Sequence, residues 1–523
     1  PPTPLTSSDP SFSGRRSSTP SNSTGDAIAD TRNPAKRPRP DYSADRHLWI
    51  QVSTCNPTSQ PAPPGSNSPT TLAGFIELFF SLFHPTHPFV LPRSSLLKQL
   101  KQRRLGHLLS VIQYIGSCYS QTGQTESCRD VANHYLFNSQ VRKDGFTVQA
   151  LLLFAIGLHS CGERERVSQV LSMAVDMALE IGMNRQEFSV NNGEGCKVLE
   201  ESWRRTWWEL YVIDGLLAAI HQKSTFRLYN IPTDVPLPCE EVDYFVTGNV
   251  PNPIQLADID DSAFSSEERV FSSFAYRVEA IRNVGKILAV GQRGVSEESD
   301  VDEADACLVN WALHLPESKR SLVDKDGQID EMLFQAYMIA NASAIFLHRP
   351  RSHLAFPQHP DDTSCTPPRH FALPTKADGF HTAKTIGAAD DIARLITLPT
   401  PLIKHTPFFT CAVTVASIVH LSSCSFLLTS DDARLAKERV RLSVGALKTL
   451  RDVWPVASTV LHQVKAVARE VYSRKPTPQN PWDLATEEAI MRYLEDEQMQ
   501  GLDELCADAY QELPIMPVEG NKV

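Results

Sequence analysis

The chain is expected to be all-α, a large multi-helix body of packed antiparallel helices, and three observations lead there. Apolar residues recur at the three-to-four spacing of a helix in one segment after another. Two of those segments end on recognisable stops, Pro85 and Pro88 in one case and Gly182 in the other. Runs that alternate apolar and polar residues are short and isolated, so nothing reads as a sheet.

The elements follow in order. Residues 1–69 are dominated by Ser, Pro, Thr, Asn and Asp and cannot bury enough apolar surface to offset the entropy of ordering, so this segment is expected to be disordered. It holds a basic cluster, Lys36, Arg37 and Arg39 among prolines, of the kind that nuclear import receptors read. Order is expected from 70. Phe75, Leu78, Phe79, Leu82 and Phe83 form one wide apolar helical face, and the helix must stop at His84-Pro85-Thr86-His87-Pro88 because proline lacks the donor a continuing helix needs. Helical patterns then span 105–119, 148–158 and 167–181, the last with Val167, Val170, Ala174, Met177 and Ile181 on one face and Gly182 as its stop.

A charged and aromatic helix comes next. Trp203, Trp207, Leu210, Ile213 and Leu217 recur at helical spacing, which buries a segment that also carries Glu201, Arg204, Arg205, Glu209 and Asp214. A charge away from water needs a partner, so Arg204 and Arg205 are expected to pair with Glu201, Glu209 or Asp214. The loop 228–244 is rich in proline and acid. Further helical patterns cover 265–290, 303–314, 329–347, 383–396, 407–428 and 432–454. Residues 349–380 carry repeated prolines and read as a mobile surface insertion. The body is expected to run over 70–472 and an acidic amphipathic tail over 473–523.

Composition narrows the function. The 523 residues are 41% hydrophobic and 21% charged, ordinary globular values, with 37 prolines against 24 glycines pointing to long loops. The formal net charge of -11 argues against most of the surface lying on DNA. No long apolar run reads as a membrane span and no signal-peptide pattern opens the chain, so an intracellular protein is expected. Eleven cysteines spread from Cys55 to Cys506 without tight pairs suit reduced thiols rather than a disulfide framework.

Enzyme signals are thin, and no catalytic, cofactor-binding or metal-ligating residue is assigned. His84 and His87 have prolines between and after them and no third ligand nearby, so they read as a helix end rather than a metal site. Gly157-Leu158-His159-Ser160-Cys161-Gly162 has one residue too many for a serine nucleophile elbow, and no strand precedes it. Lys98, Lys101, Arg103 and Arg104 read as a solvated helix end. Asn341 opens a glycosylation-type triplet inside an apolar helical pattern, a chance match.

One set of blocks, taken together and in order, is specific. Arg204-Arg205-Thr206-Trp207-Trp208, then Asp214, then Asp234-Val235-Pro236-Leu237-Pro238 resembles the signature helix of the regulatory domain of fungal binuclear zinc cluster transcription factors. Phe83-His84-Pro85-Thr86-His87-Pro88 is similar to the opening of that domain, and Ala178 to Arg185 to the end of its next helical pair. Downstream, Leu308 to Pro316 with Trp311, and the helix end Leu347-His348-Arg349-Pro350, resemble two later blocks. The resemblance covers about 75–454. It departs from the family after Asp214, where Gly-Arg-Pro is common and His221-Gln222-Lys223-Ser224-Thr225-Phe226-Arg227 stands here.

The family binds DNA through six cysteines that hold two zinc ions, in a pattern opening Cys-x-x-Cys. No such pair occurs in this chain, so no cofactor is expected in it, and zinc only if a six-cysteine module lies upstream. Two readings of the start at Pro1 stay open: a fragment that lacks the zinc module, or a divergent or truncated product without one. What the resemblance implies is the regulatory region of a nuclear RNA polymerase II transcription factor. Its partners are expected to be coactivators or repressors, DNA only through the missing module, and a second copy or a related chain in a dimer, with no membrane. The alternative is a helical interaction scaffold or cofactor with no DNA role of its own.

The tail adds a candidate activation segment. Acidic residues are interleaved with bulky anchors, Trp482, Leu484, Tyr493, Leu494, Leu502 and Leu505 among them, as in amphipathic segments that a coactivator groove takes up. The other reading is an acidic helix packed on the body. Arg204, Arg205 and Asp214 are expected to be a structural charge set rather than a site.

Overall fold

The computed structural model describes residues 72–137, 141–247, 249–262, 269–292, 298–354, 378–426 and 430–473. The basic cluster at Lys36, Arg37 and Arg39, most of the insertion and the acidic tail lie outside the described residues. The described residues contain helices and two isolated bridges, Leu237 with Ile254 and Val323 with Ile329, and no strands.

The first helix, α1 (Leu72–Leu78), continues as a wider π-helical turn over Phe79–Phe83, closed by the His84 amide donating to the Phe79 carbonyl at 2.8 Å. Phe79 and Phe83 stack with centroids 5.4 Å apart, and both are fully buried. Three helices follow: α2 (Arg93–Gln102), α3 (Gly106–Ser117) and α4 (Thr125–Phe137). α3 crosses α1 so closely that a Cβ at Gly116 would sit 1.9 Å from the Phe75 carbonyl oxygen, so only glycine allows the crossing.

α5 (Gly145–Ser160) is buried on every side, which is why its sequence is apolar all round rather than striped. It starts on Asp144, whose carboxylate accepts from the Thr147 amide at 3.0 Å. α5 packs along α6 (Arg164–Glu180), to which residues 161–163 join it. The stop at Gly182 is a left-handed cap with φ of 76°. The Met183 amide donates to the Ala178 carbonyl at 2.8 Å and the Gly182 amide to the Leu179 carbonyl at 3.1 Å. Short α7 (Gln186–Asn191) leads into α8 (Lys197–Ile220), which packs on α5, α6 and α10.

The remaining helices are α9 (Leu256–Ser262), α10 (Ser273–Gln292), α11 (Glu298–Leu313), α12 (Glu331–His348), α13 (Asp378–Ile396), α14 (Phe409–Phe426), α15 (Ser430–Leu450) and α16 (Pro455–Ser473). They pack in sequence, α10 on α12, α12 on α13, α13 on α14 and α14 on both α15 and α16, while α16 returns to α5. The body is therefore closed through α5, and α8 lies against it. No helix of the described residues is long and apolar enough to cross a membrane.

Candidate functional site

The two prolines that end the first helix leave a run of backbone carbonyls with no helical partner, and buried side chains take four of them, those of Thr86, Pro88, Phe89 and Val90. Gln335 donates to the Thr86 carbonyl at 2.7 Å, and Arg205 to that of Pro88 at 3.3 Å. The Phe89 carbonyl accepts from Gln149 at 3.1 Å and from the Ser202 hydroxyl at 2.8 Å. His84 Nε2 and the Tyr244 hydroxyl donate to the Val90 carbonyl at 2.8 and 3.2 Å. Burial, opposed by that bond, leaves the His84 imidazole at about 4, so it is neutral at pH 7.

Helix α8 supplies most of the charges around this segment. Glu201, with no exposed surface, accepts from Arg204 Nε at 2.9 Å, from Arg205 Nε at 2.9 Å and from the Cys239 amide at 2.9 Å. Arg205 is also fully buried. It donates to the Cys239 carbonyl at 2.6 Å and to Glu241 at 3.1 Å, and its guanidinium lies 4.4 Å from the Tyr244 ring centroid. Burial pushes the Glu241 carboxyl up to about 7 against the pull of Arg205. Of the three carboxylates open to the arginines from the sequence, the structure selects Glu201, reached by both at three and four residues' spacing.

Glu209 belongs to a second set. Arg277 of α10 grips it with two bonds, Nη1 to Oε2 at 2.7 Å and Nη2 to Oε1 at 2.9 Å, and His87 Nδ1 donates to Oε1 at 2.7 Å. The other His87 nitrogen meets the Thr406 hydroxyl at 3.0 Å. Burial alone would raise the Glu209 pKa, but Arg277 and His87 hold it down at about 2. One carboxylate thus joins the proline-stopped segment, α8, α10 and the loop before α14.

Asp214 takes neither arginine. Its carboxylate accepts from the Leu228 amide at 2.8 Å and so fixes the 3-10 turn Arg227–Asn230, while burial raises its pKa. Immediately before that turn, α8 ends with Gln222 in the left-handed region at φ of 59°, where a glycine usually sits. This is the stretch in which the chain departs from the Gly-Arg-Pro pattern.

The other signature residues are packed at separate places. Trp207 and Trp208 are fully buried, and Trp208 Nε1 donates to the Pro236 carbonyl at 2.9 Å. The Pro238 carbonyl accepts from the Ser272 hydroxyl at 2.6 Å, next to the start of α10. Trp311 of α11 donates to the Tyr276 carbonyl at 3.1 Å, and Pro316 opens the turn Glu317–Lys319. At the end of α12, His348 lies between Asp305, 3.0 Å from Nε2, and His381, 2.9 Å from Nδ1, and Arg349 and Pro350 form the next turn. The anchors Trp482, Leu484, Tyr493, Leu494, Leu502 and Leu505 lie outside the described residues.

The sequence pattern did not bring out Arg277, Gln149 or Thr406, and it read His87 only as part of a helix end, without its partners. Partners 122, 68 and 319 residues apart carry no local signal. The one available hint was a surplus of charges on a helix that had to be buried. No disulfide joins the described cysteines. Among the described residues no group of three or more His, Cys, Asp or Glu could hold a metal ion, so the zinc implied by the resemblance finds no fitting donor set there.

Comparison with known proteins gives two matches. The model of the fungal specific transcription factor domain matches residues 76–290, which contain Glu201, Arg205, Glu209 and Arg277. The chain is also 41% identical over 432 residues to the C6 finger domain transcription factor iacK of Pestalotiopsis fici, covering 81% of this chain and 64% of that protein. The chain therefore spans just under two thirds of the relative's length. No solved structure matches it.

Proposed function

We propose that this chain, which carries a fungal specific transcription factor domain and belongs to that family, is the regulatory region of a nuclear RNA polymerase II transcription factor. The observation that carries this reading is the buried network itself. The matched segment contains the residues that tie α8 to α10 and to the proline-stopped segment, so the part shared with the family is also the centre of the body.

In this reading Arg204, Arg205 and Asp214 hold the body together and do not touch a ligand. The body sets transcriptional output in response to an effector or a protein partner, through a shift between helix arrangements. DNA contact belongs to a six-cysteine zinc module, for which the relative's description as a C6 finger factor is the support. Lys36, Arg37 and Arg39 serve nuclear import, and the segment 473–523 recruits coactivators through Trp482, Leu484 and the anchors that follow.

The test tethers the full chain, fused to a heterologous DNA-binding domain, upstream of a reporter in a fungal host. Expression is expected to change relative to the DNA-binding domain alone. An unchanged reporter with the fusion present in the nucleus would contradict the reading. Segment 483–523 fused alone is expected to activate, and silence there would remove the activation role from the tail.

A further inference from the structure

Helix α11, the end of α12 and the first turn of α13 meet at two buried imidazoles. The side chain of His348 has no exposed surface and that of His381 is 2% exposed. Asp305 of α11 accepts from His348 Nε2 at 3.0 Å and from Lys384 Nζ at 3.2 Å. An ionised carboxylate only accepts, so His348 Nε2 carries a proton. Against burial, which would raise it, His348 and Lys384 hold the Asp305 carboxyl below its ordinary range. The Nδ1 atoms of His348 and His381 face each other at 2.9 Å, a hydrogen bond with room for one proton. Beside it the His353 amide donates to the Thr382 hydroxyl at 3.1 Å, and the two bonds tie the chain leaving α12 to the start of α13.

The pair has a fixed capacity for protons. With His348 donating from Nε2, the neutral pair has His381 Nδ1 as the donor and His348 Nδ1 as the acceptor. One further proton fits at His381 Nε2, on the side of Glu298 Oε1 at 3.9 Å, and leaves that bond intact. A second has only His348 Nδ1 left. Two N–H groups would then point at each other across 2.9 Å, so the rings must part.

The charges that face the pair come from three places. α11 contributes Glu298 and Asp305, the turn after α12 contributes Arg351, and α13 contributes Lys384. α10 brings Lys286 only as far as Cys307 on α11. α14 and α15 meet α13 more than two turns further along, where His420 and Arg439 lie at Asp390, with Arg394 on Asp391. Burial first, then His348 and Arg351, lowers the His381 pKa from the ordinary 6.5, against Glu298 and Asp305. His381 in place therefore binds fewer protons than a freed one as pH falls below 6.5, and the tie weakens in that direction.

We propose that His348 and His381 form a proton-operated clasp between α12 and α13, which holds with up to one extra proton and releases the start of α13 from α12 and α11 when a second arrives. This response of the body to acid goes beyond the transcriptional reading and does not rest on it.

The test measures hydrogen exchange at the 382–386 amides of the full chain between about pH 6.5 and 5, corrected for intrinsic exchange, with the α5 amides as reference. Protection at 382–386 is expected to fall about tenfold or more per pH unit relative to α5, the effect of at least one linked proton. His381→Asn places an amide donor where Nδ1 stands and cannot titrate, so protection there should no longer fall with acid. In NMR titrations of the parent, the His348 and His381 signals should each move in two coupled steps. Protection at 382–386 that tracks α5, an acid loss that His381→Asn retains, or histidine signals that each move in one independent step would overturn the proposal.

Discussion

Glu209 is a carboxylate with no exposed surface, gripped by Arg277 and His87, and its energetics follow from those partners. An ion pair in low dielectric gains little net stability over an apolar pair, yet losing one partner strands the other charge. Glu209→Gln is therefore expected to cost about 3–5 kcal/mol in chemical denaturation at pH 7. A loss under about 1 kcal/mol would show that Arg277 finds another partner. The pH dependence has a definite sign. The folded pKa near 2 is below the ordinary 4.5, so this stability is present above about 4.5 and is lost as pH falls towards 2. Asp391 on α13 is the opposite case. Burial pushes it from 3.8 up to about 7, so the folded chain keeps a proton that the unfolded chain releases, and stability falls as pH rises through that window. Asp391→Asn should gain on the parent between pH 4 and 7 when denaturation midpoints are compared. A constant difference across that range would count against the shift.

Helix ends and helix interiors make opposite demands on the same residue, which gives a matched pair of tests. Gly182 caps α6 at positive φ with open space around it, so Gly182→Ala meets no neighbour but strains the backbone, at a cost of about 1 kcal/mol. Gly445 sits inside α15, also in open space, where alanine is the better helix former, and Gly445→Ala should stabilise by about 0.5–1 kcal/mol. Thermal or urea unfolding of the two variants checks both signs, and a shared sign would refute the assignment of one position. At this scale, legibility depended on the width of the apolar stripe. The pattern at 148–158 lies inside α5, and that at 167–181 lies inside α6 but for Ile181, its C-cap, because those helices bury broad faces. No helix was expected over α4, and α2 was legible only as a solvated helix end at Lys98, Lys101, Arg103 and Arg104; they bury only Cys128, Ala132 and Leu136 in the one case and Leu96 in the other. α16 escaped for another reason. Pro455 reads as a stop after Trp454, but it is also the preferred first residue of a helix, and Val456, Val460, Val464 and Ala468 behind it are buried.

In the whole molecule, the all-α architecture and the family were readable because their evidence is local, in spacing within helices and in short blocks. The network around α8 was only half readable. Its charges on a buried helix were visible, and both arginines do meet Glu201 four residues away or nearer, but Glu209's partners come from across the fold. In the proposed function the body is centred on that network and residues 473–523 recruit partners. The most direct measurement compares the tethered full chain with the same fusion lacking residues 473–523, at equal nuclear levels, on one reporter. The full chain should change transcription and the shortened one should lose most of that effect. If both match the bare DNA-binding domain, the chain is not a transcriptional regulator of the kind proposed.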